Sequence, residues 1–96
     1  MTVLDHTTIE LSYQQLCTLR WALEANWREM TAHQAAYVHQ RNENPDDADH
    51  WTAAVERAAE RIAAIDAIVA QFPESIREDW AKDRALDRAR MEASAA

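Results

Sequence analysis

Glycine is missing altogether from these 96 residues, and proline appears only twice. A chain without glycine is poorly supplied for the tight turns that join β-strands. What stands in its place suits helices. Alanine occurs twenty times, and in a helix it is favoured over glycine by about 1 kcal/mol. Cysteine is scarce too. Cys17 is alone, which excludes an internal disulfide framework and suits a reducing compartment. No apolar run approaches the roughly 20 residues of a membrane-spanning helix. The opening Met1-Thr2-Val3-Leu4-Asp5-His6 lacks the basic start and apolar stretch of a secretory leader. The expectation is a cytoplasmic protein with no membrane partner.

Positive charge is in short supply. Seventeen acidic residues against ten basic ones leave a formal net charge of -7, which disfavours binding to nucleic acid or to an anionic membrane. Nine of the ten basic residues are arginine. With so much alanine, that usage suggests a GC-rich bacterial or phage coding sequence. Hydrophobic residues make up 48%, an ordinary share for a folded domain. The length predicts one domain over 1–96 with a thin core.

The pattern along the chain predicts an all-α fold: a long antiparallel helical hairpin followed by a shorter C-terminal helix. Residues 1–11 read as an arm, with alternation through Thr7-Thr8-Ile9-Glu10-Leu11. Helix 1 is expected over 12–42. Ser12 and Gln15 have capping-box spacing, and Leu16, Leu19, Leu23, Trp27, Met30, Tyr37 and Val38 form one apolar stripe. Asn44-Pro45-Asp46-Asp47 combines an N-cap residue, a proline suited to a first helical position and two acids that complement the helix dipole. It opens helix 2 over 44–72, and Phe72-Pro73 closes it. Helix 3 is expected over 75–92, capped by Ser75 and Glu78 and anchored by Ile76 and Trp80, with a tail at 93–96. Its later charges read as a solvated, salt-bridged surface that frays toward the end.

A short connection makes the first two helices antiparallel neighbours, so facing residues have numbers summing to about 88. Leu16 then meets Phe72, Leu19 meets Val69, Leu23 meets Ile65, Met30 meets Ala58 and Tyr37 meets Trp51, while Trp27 falls close to Ile62. Helix 1 would be about 45 Å long, and nothing further in the chain covers the far end that carries Tyr37, Val38 and Trp51. That end calls for dimerisation into a helical bundle, a foreign protein, or a break in helix 1 near His33.

Candidate chemistry is sparse. His6, His33, His39 and His50 lack the i, i+3 or i+4 pairing that lets two side chains reach one metal ion, so no metal and no cofactor are expected. Cys17 has Arg20 one turn away but no histidine placed as a base, and it reads as a semi-buried structural thiol. The acids have no cleft in which to converge, and glycine-rich phosphate loops and nucleophile elbows are absent. Trp21 is the residue that fits least. It lies about 140° around helix 1 from Leu16, on a side shared by Cys17, Arg28, Ala32 and Ala35. Packing against Ile76 or Trp80 in a three-helix core is the leading reading, and an exposed hot spot for a partner is the other. Trp80 carries the same pair of readings.

Length, hairpin shape and a tryptophan near the turn resemble the small helical secretion substrates marked by a Trp-x-Gly turn. Here the residues are Trp51-Thr52-Ala53, without the glycine and with the tryptophan opening a helix, so no function is carried across. The sequence points instead to a non-enzymatic protein that docks a helical face on another protein, as small bacterial or phage inhibitors, antitoxins and adaptors do. Trp21, Arg28, Tyr37, Trp51 and Trp80 are the candidate contact residues, and a homodimer is expected. The alternative is a homo-oligomeric structural or viral assembly component.

Overall fold

The computed structural model describes residues 8–95 and contains three α-helices and no strand among them. Helix α1 covers Tyr13–Glu43, a 3-10 turn covers Pro45–Asp47, α2 covers Ala48–Val69 and α3 covers Glu74–Ala95. The expected arm falls partly outside the described residues. Its described part, 8–11, has no regular structure and is exposed.

Local chemistry accounts for the boundaries. Ser12 is extended at φ -68° and ψ 165°. Its Oγ accepts from the Gln15 N–H at 3.1 Å, and Gln15 Oε1 accepts from the Ser12 N–H at 2.8 Å. Both halves of the capping box are therefore made. At the far end the Asn44 N–H and side-chain amide both donate to the Gln40 carbonyl at 2.9 Å. Pro45 then diverts the chain into the 3-10 turn, so α2 begins a few residues later than 44. It also ends sooner, because Gln71 and Phe72 tighten into bonds with the carbonyls of Ile68 and Val69. Helix α3 starts one residue before Ser75. The Pro73 carbonyl accepts from the Ile76 and Arg77 N–H groups as the helix begins, and Ser75 lies inside the helix, so it is not the N-cap of the expected Ser75–Glu78 capping box. The helix does not stop at 92 but runs to Ala95. No described residue has a positive φ, so the glycine-free chain makes its turns with negative φ throughout, as at Asn44 (φ -128°, ψ 72°) and Asp47 (φ -108°, ψ 18°).

Helices α1 and α2 pack closely as the hairpin. Tyr37 and Trp51 stack with ring centroids 5.9 Å apart, which fixes the register at the far end. The core lies at the other end. It is formed by Trp27, Ile65, Val69, Phe72, Ile76 and Trp80, with Leu16, Leu19, Leu23 and Ile62 partly buried against it. Helix α1 continues unbroken through His33, which removes one of the three ways of dealing with the uncovered end. Tyr37, Val38 and Trp51 are half-buried there.

The shape is open. The radius of gyration is 16.3 Å, against about 12.5 Å for a compact domain of this length. The extents are 48 × 43 × 16 Å, so the molecule is broad and about as thick as two stacked helices. No helix among the described residues is long and apolar enough to cross a membrane.

Candidate functional site

Helix α3 meets α1 through long side chains. Ile76, Trp80, Arg84, Asp87 and Met91 recur at helical spacing, and the first four are buried. The Arg84 Cζ sits 4.4 Å from the Trp80 ring centroid and 5.2 Å from that of Trp27. Arg84 and Trp27 are each only 1% exposed. A guanidinium held between two indoles gains from both ring quadrupoles in a site with little water. Its two Nη nitrogens have no hydrogen-bond partner, which the ring faces offset. Arg88 adds a second cation on Trp27, with its Cζ 5.4 Å from the ring.

Carboxylates close the arrangement. Asp87 accepts from Arg84 Nε at 3.0 Å and from Arg28 Nε at 3.1 Å. Glu24 pairs with Arg28 at 2.8 Å and lies 3.4 Å from Arg84 Nη2. Arg20 pairs with Asp83 one turn away. Burial pushes the Asp87 carboxyl up, but the hydrogen bonds and charges of Arg28 and Arg84 outweigh it and hold the group below its ordinary value. The hydrogen bond to Asp87 raises the Arg28 guanidinium against the opposing effect of burial, with help from the charges of Glu24, Asp87 and Asp83. The expectation of a solvated, salt-bridged α3 therefore holds for the salt bridges of Arg84 and Asp87 and fails for their solvation, since both are buried. The sequence signal was the stripe itself, which runs on from Ile76 and Trp80 through two charged residues to Met91.

Beyond Asp87 a cleft of about 600 Å³ lies between the two helices. Its walls include Arg28, Ala32 and Ala35 from α1 and Arg90 and Met91 from α3, with Trp27 also lining it.

The five nominated contact residues do not form one site. Trp21 is 68% exposed, so its leading reading, packing on Ile76 or Trp80, is overturned. Trp80 is 5% exposed and belongs to the core. Arg28 is half exposed at the cleft, one end of its guanidinium tied to Asp87. Tyr37 and Trp51 lie together at the far end of the hairpin, continued by His33 against Tyr37 at 5.9 Å and His50 against Trp51 at 4.9 Å. Cys17 is half-buried. Among the described residues no three His, Cys, Asp or Glu side chains are gathered to hold a metal ion; His6 lies outside them. Comparison with known families, curated proteins and solved structures finds no match.

Proposed function

We propose that this chain is a non-enzymatic interaction protein that docks the outer flank of α1 on another protein, as a small bacterial or phage inhibitor, antitoxin or adaptor would. One observation carries the reading: the 68% exposure of Trp21 on the side of α1 that continues through Arg28, Ala32 and Ala35 into the open cleft. Residues 21, 28, 32 and 35 follow helical spacing. An exposed indole beside an arginine and small side chains offers a large rigid anchor with room for close approach. The formal charge of -7 turns the reading toward protein rather than polyanion partners. A single cysteine fits a cytoplasmic setting.

The test is capture from the native cell by the whole chain, compared with Trp21→Ala and with the cleft-blocking Ala32→Arg. Both substitutions lie on exposed positions and should leave the helical spectrum unchanged. The reading expects one protein, retained by the wild type, to be lost at least tenfold with both. Retention undiminished by either variant overturns it.

A further inference from the structure

The other flank of the hairpin carries a second surface. Helix α3 is tied to α1 through Arg20, Glu24, Trp27 and Arg28. A separate groove of about 240 Å³ lies along Met30, His33 and Tyr37 of α1 and Arg57 and Arg61 of α2. At 100° per residue these α1 positions point away from the α3 side. Ala54 and Ala58 complete the groove. Arg57 and Arg61 are like charges at i, i+4, a spacing that costs an isolated helix a few tenths of a kcal/mol. Among the described residues neither has a carboxylate at ion-pair distance. Glu56 and Glu60 stand beside the two arginines on α2, yet neither lies at ion-pair distance from them, so both guanidinium groups on the groove are open to a further carboxylate.

The acids they lack stand at the hairpin turn. Asp46, Asp47 and Asp49 are exposed, and no described cation pairs with them. They lie about 12–22 Å along α2 from Arg57 and Arg61, too far to meet within one chain. A two-fold axis brings them together. Antiparallel apposition of two copies with α2 numbers summing to about 106 sets the turn of each against the arginine pair of the other. The midpoint then falls near residue 53, beside Trp51 and, through the hairpin register, Tyr37. The same axis that matches the charges thus covers the half-buried Tyr37, which lines the groove.

We infer that this groove is the interface of an antiparallel homodimer, in which Arg57 and Arg61 of each copy receive the acidic turn of the other on either side of a shared centre near Tyr37. The dimer face shares no residue with the Trp21 flank, so a failure of either leaves the other standing.

Charge exchange tests it on the whole chain. One variant carries Arg57→Glu and Arg61→Glu; the other carries Asp46→Lys, Asp47→Lys and Asp49→Lys. Light scattering and sedimentation at low salt should give twice the chain mass for the wild type, with dissociation promoted by salt. Each variant alone should be at least tenfold weaker in self-association, because like charges then face each other. An equimolar mixture should recover the dimer, because both contacts are complementary again. Helicity by circular dichroism checks that each variant folds. Should the reversed turn unfold, Asn at the same three positions replaces it and should weaken the wild-type dimer by the same order. A wild type that stays monomeric, variants that associate as the wild type does, or a mixture that stays monomeric overturns the dimer. The first of these outcomes would leave the groove to an acidic segment of a different protein.

Discussion

On one flank of the hairpin Arg84 is 1% exposed, held between two indoles and bonded to Asp87. On the other, Arg57 and Arg61 are exposed without a described partner. The two neighbourhoods use one residue type in opposite ways. Where α3 covers α1, the arginine is part of the packing, and its charge is answered within the chain by Glu24 and Asp87. Where no helix covers the hairpin, the arginines have no described carboxylate at ion-pair distance. The contrast teaches that charge on a helix is not a sign of a solvent face; what decides is whether the residue falls on a stripe that another helix meets.

The largest effect that would break this contrast is expected at Arg84. Arg84→Ala removes the filling between Trp27 and Trp80 and leaves Glu24 with Arg28, and Asp87 with Arg28 and the exposed Arg90. The expected loss is about 3–5 kcal/mol, read from urea unfolding of the variant beside the wild type. A loss below about 1 kcal/mol, the range of surface pairs, would make Arg84 no different from Arg57. Next comes Asp87. Its folded carboxyl is held below its ordinary value, so its contribution is present above the unfolded pKa of about 3.9 and is lost as pH falls through the lower folded value. Asp87→Asn should cost about 1.5–3 kcal/mol at neutral pH and flatten the acid limb of the stability curve. An acid limb unchanged by Asp87→Asn would place the acid sensitivity elsewhere.

The hairpin was legible because its residues obey simple periods. Leu16, Leu19 and Leu23 find the α2 stripe, and Tyr37 meets Trp51, since a short connection leaves antiparallel packing as the only arrangement. The start of α1 was legible in Ser12 and Gln15, whose reciprocal bonds are local. Helix α3 was legible as a helix and in its Ile76 and Trp80 anchors, but not in how the rest of it packs. Its packing depends on Trp80, Arg84 and Asp87 acting as one stripe, and a pattern that sorts residues into apolar and charged breaks that stripe at Arg84. Trp21 was misjudged for the same reason. Arg84 occupies the α1–α3 contact that an indole at 21 was expected to fill, so Trp21 remains outside. The cleft was illegible because it lies between residues of α1 and α3 far apart in the chain, whose placement no local residue pattern encodes.

On the uncovered flank the expected effects shrink. Tyr37→Ala removes a half-buried ring and its contact with Trp51, at about 1 kcal/mol, and chemical unfolding at high dilution isolates that cost from any association. Smallest of all is Arg57→Ala under the same dilution. It deletes an exposed side chain, relieves the i, i+4 repulsion with Arg61 and substitutes the best helix former, so folding stability should be unchanged or rise by about 0.2–0.5 kcal/mol. At high concentration the same variant should lose stability relative to the wild type, because the charge it removes is needed only when a second copy supplies the acids. A sign that reverses with concentration at Arg57, set beside a large concentration-independent loss at Arg84, separates a charge spent inside the chain from one held for a partner. A loss at Arg57 that is already full at high dilution would mean that its carboxylate lies within the same chain, and the two flanks would then differ in degree and not in kind.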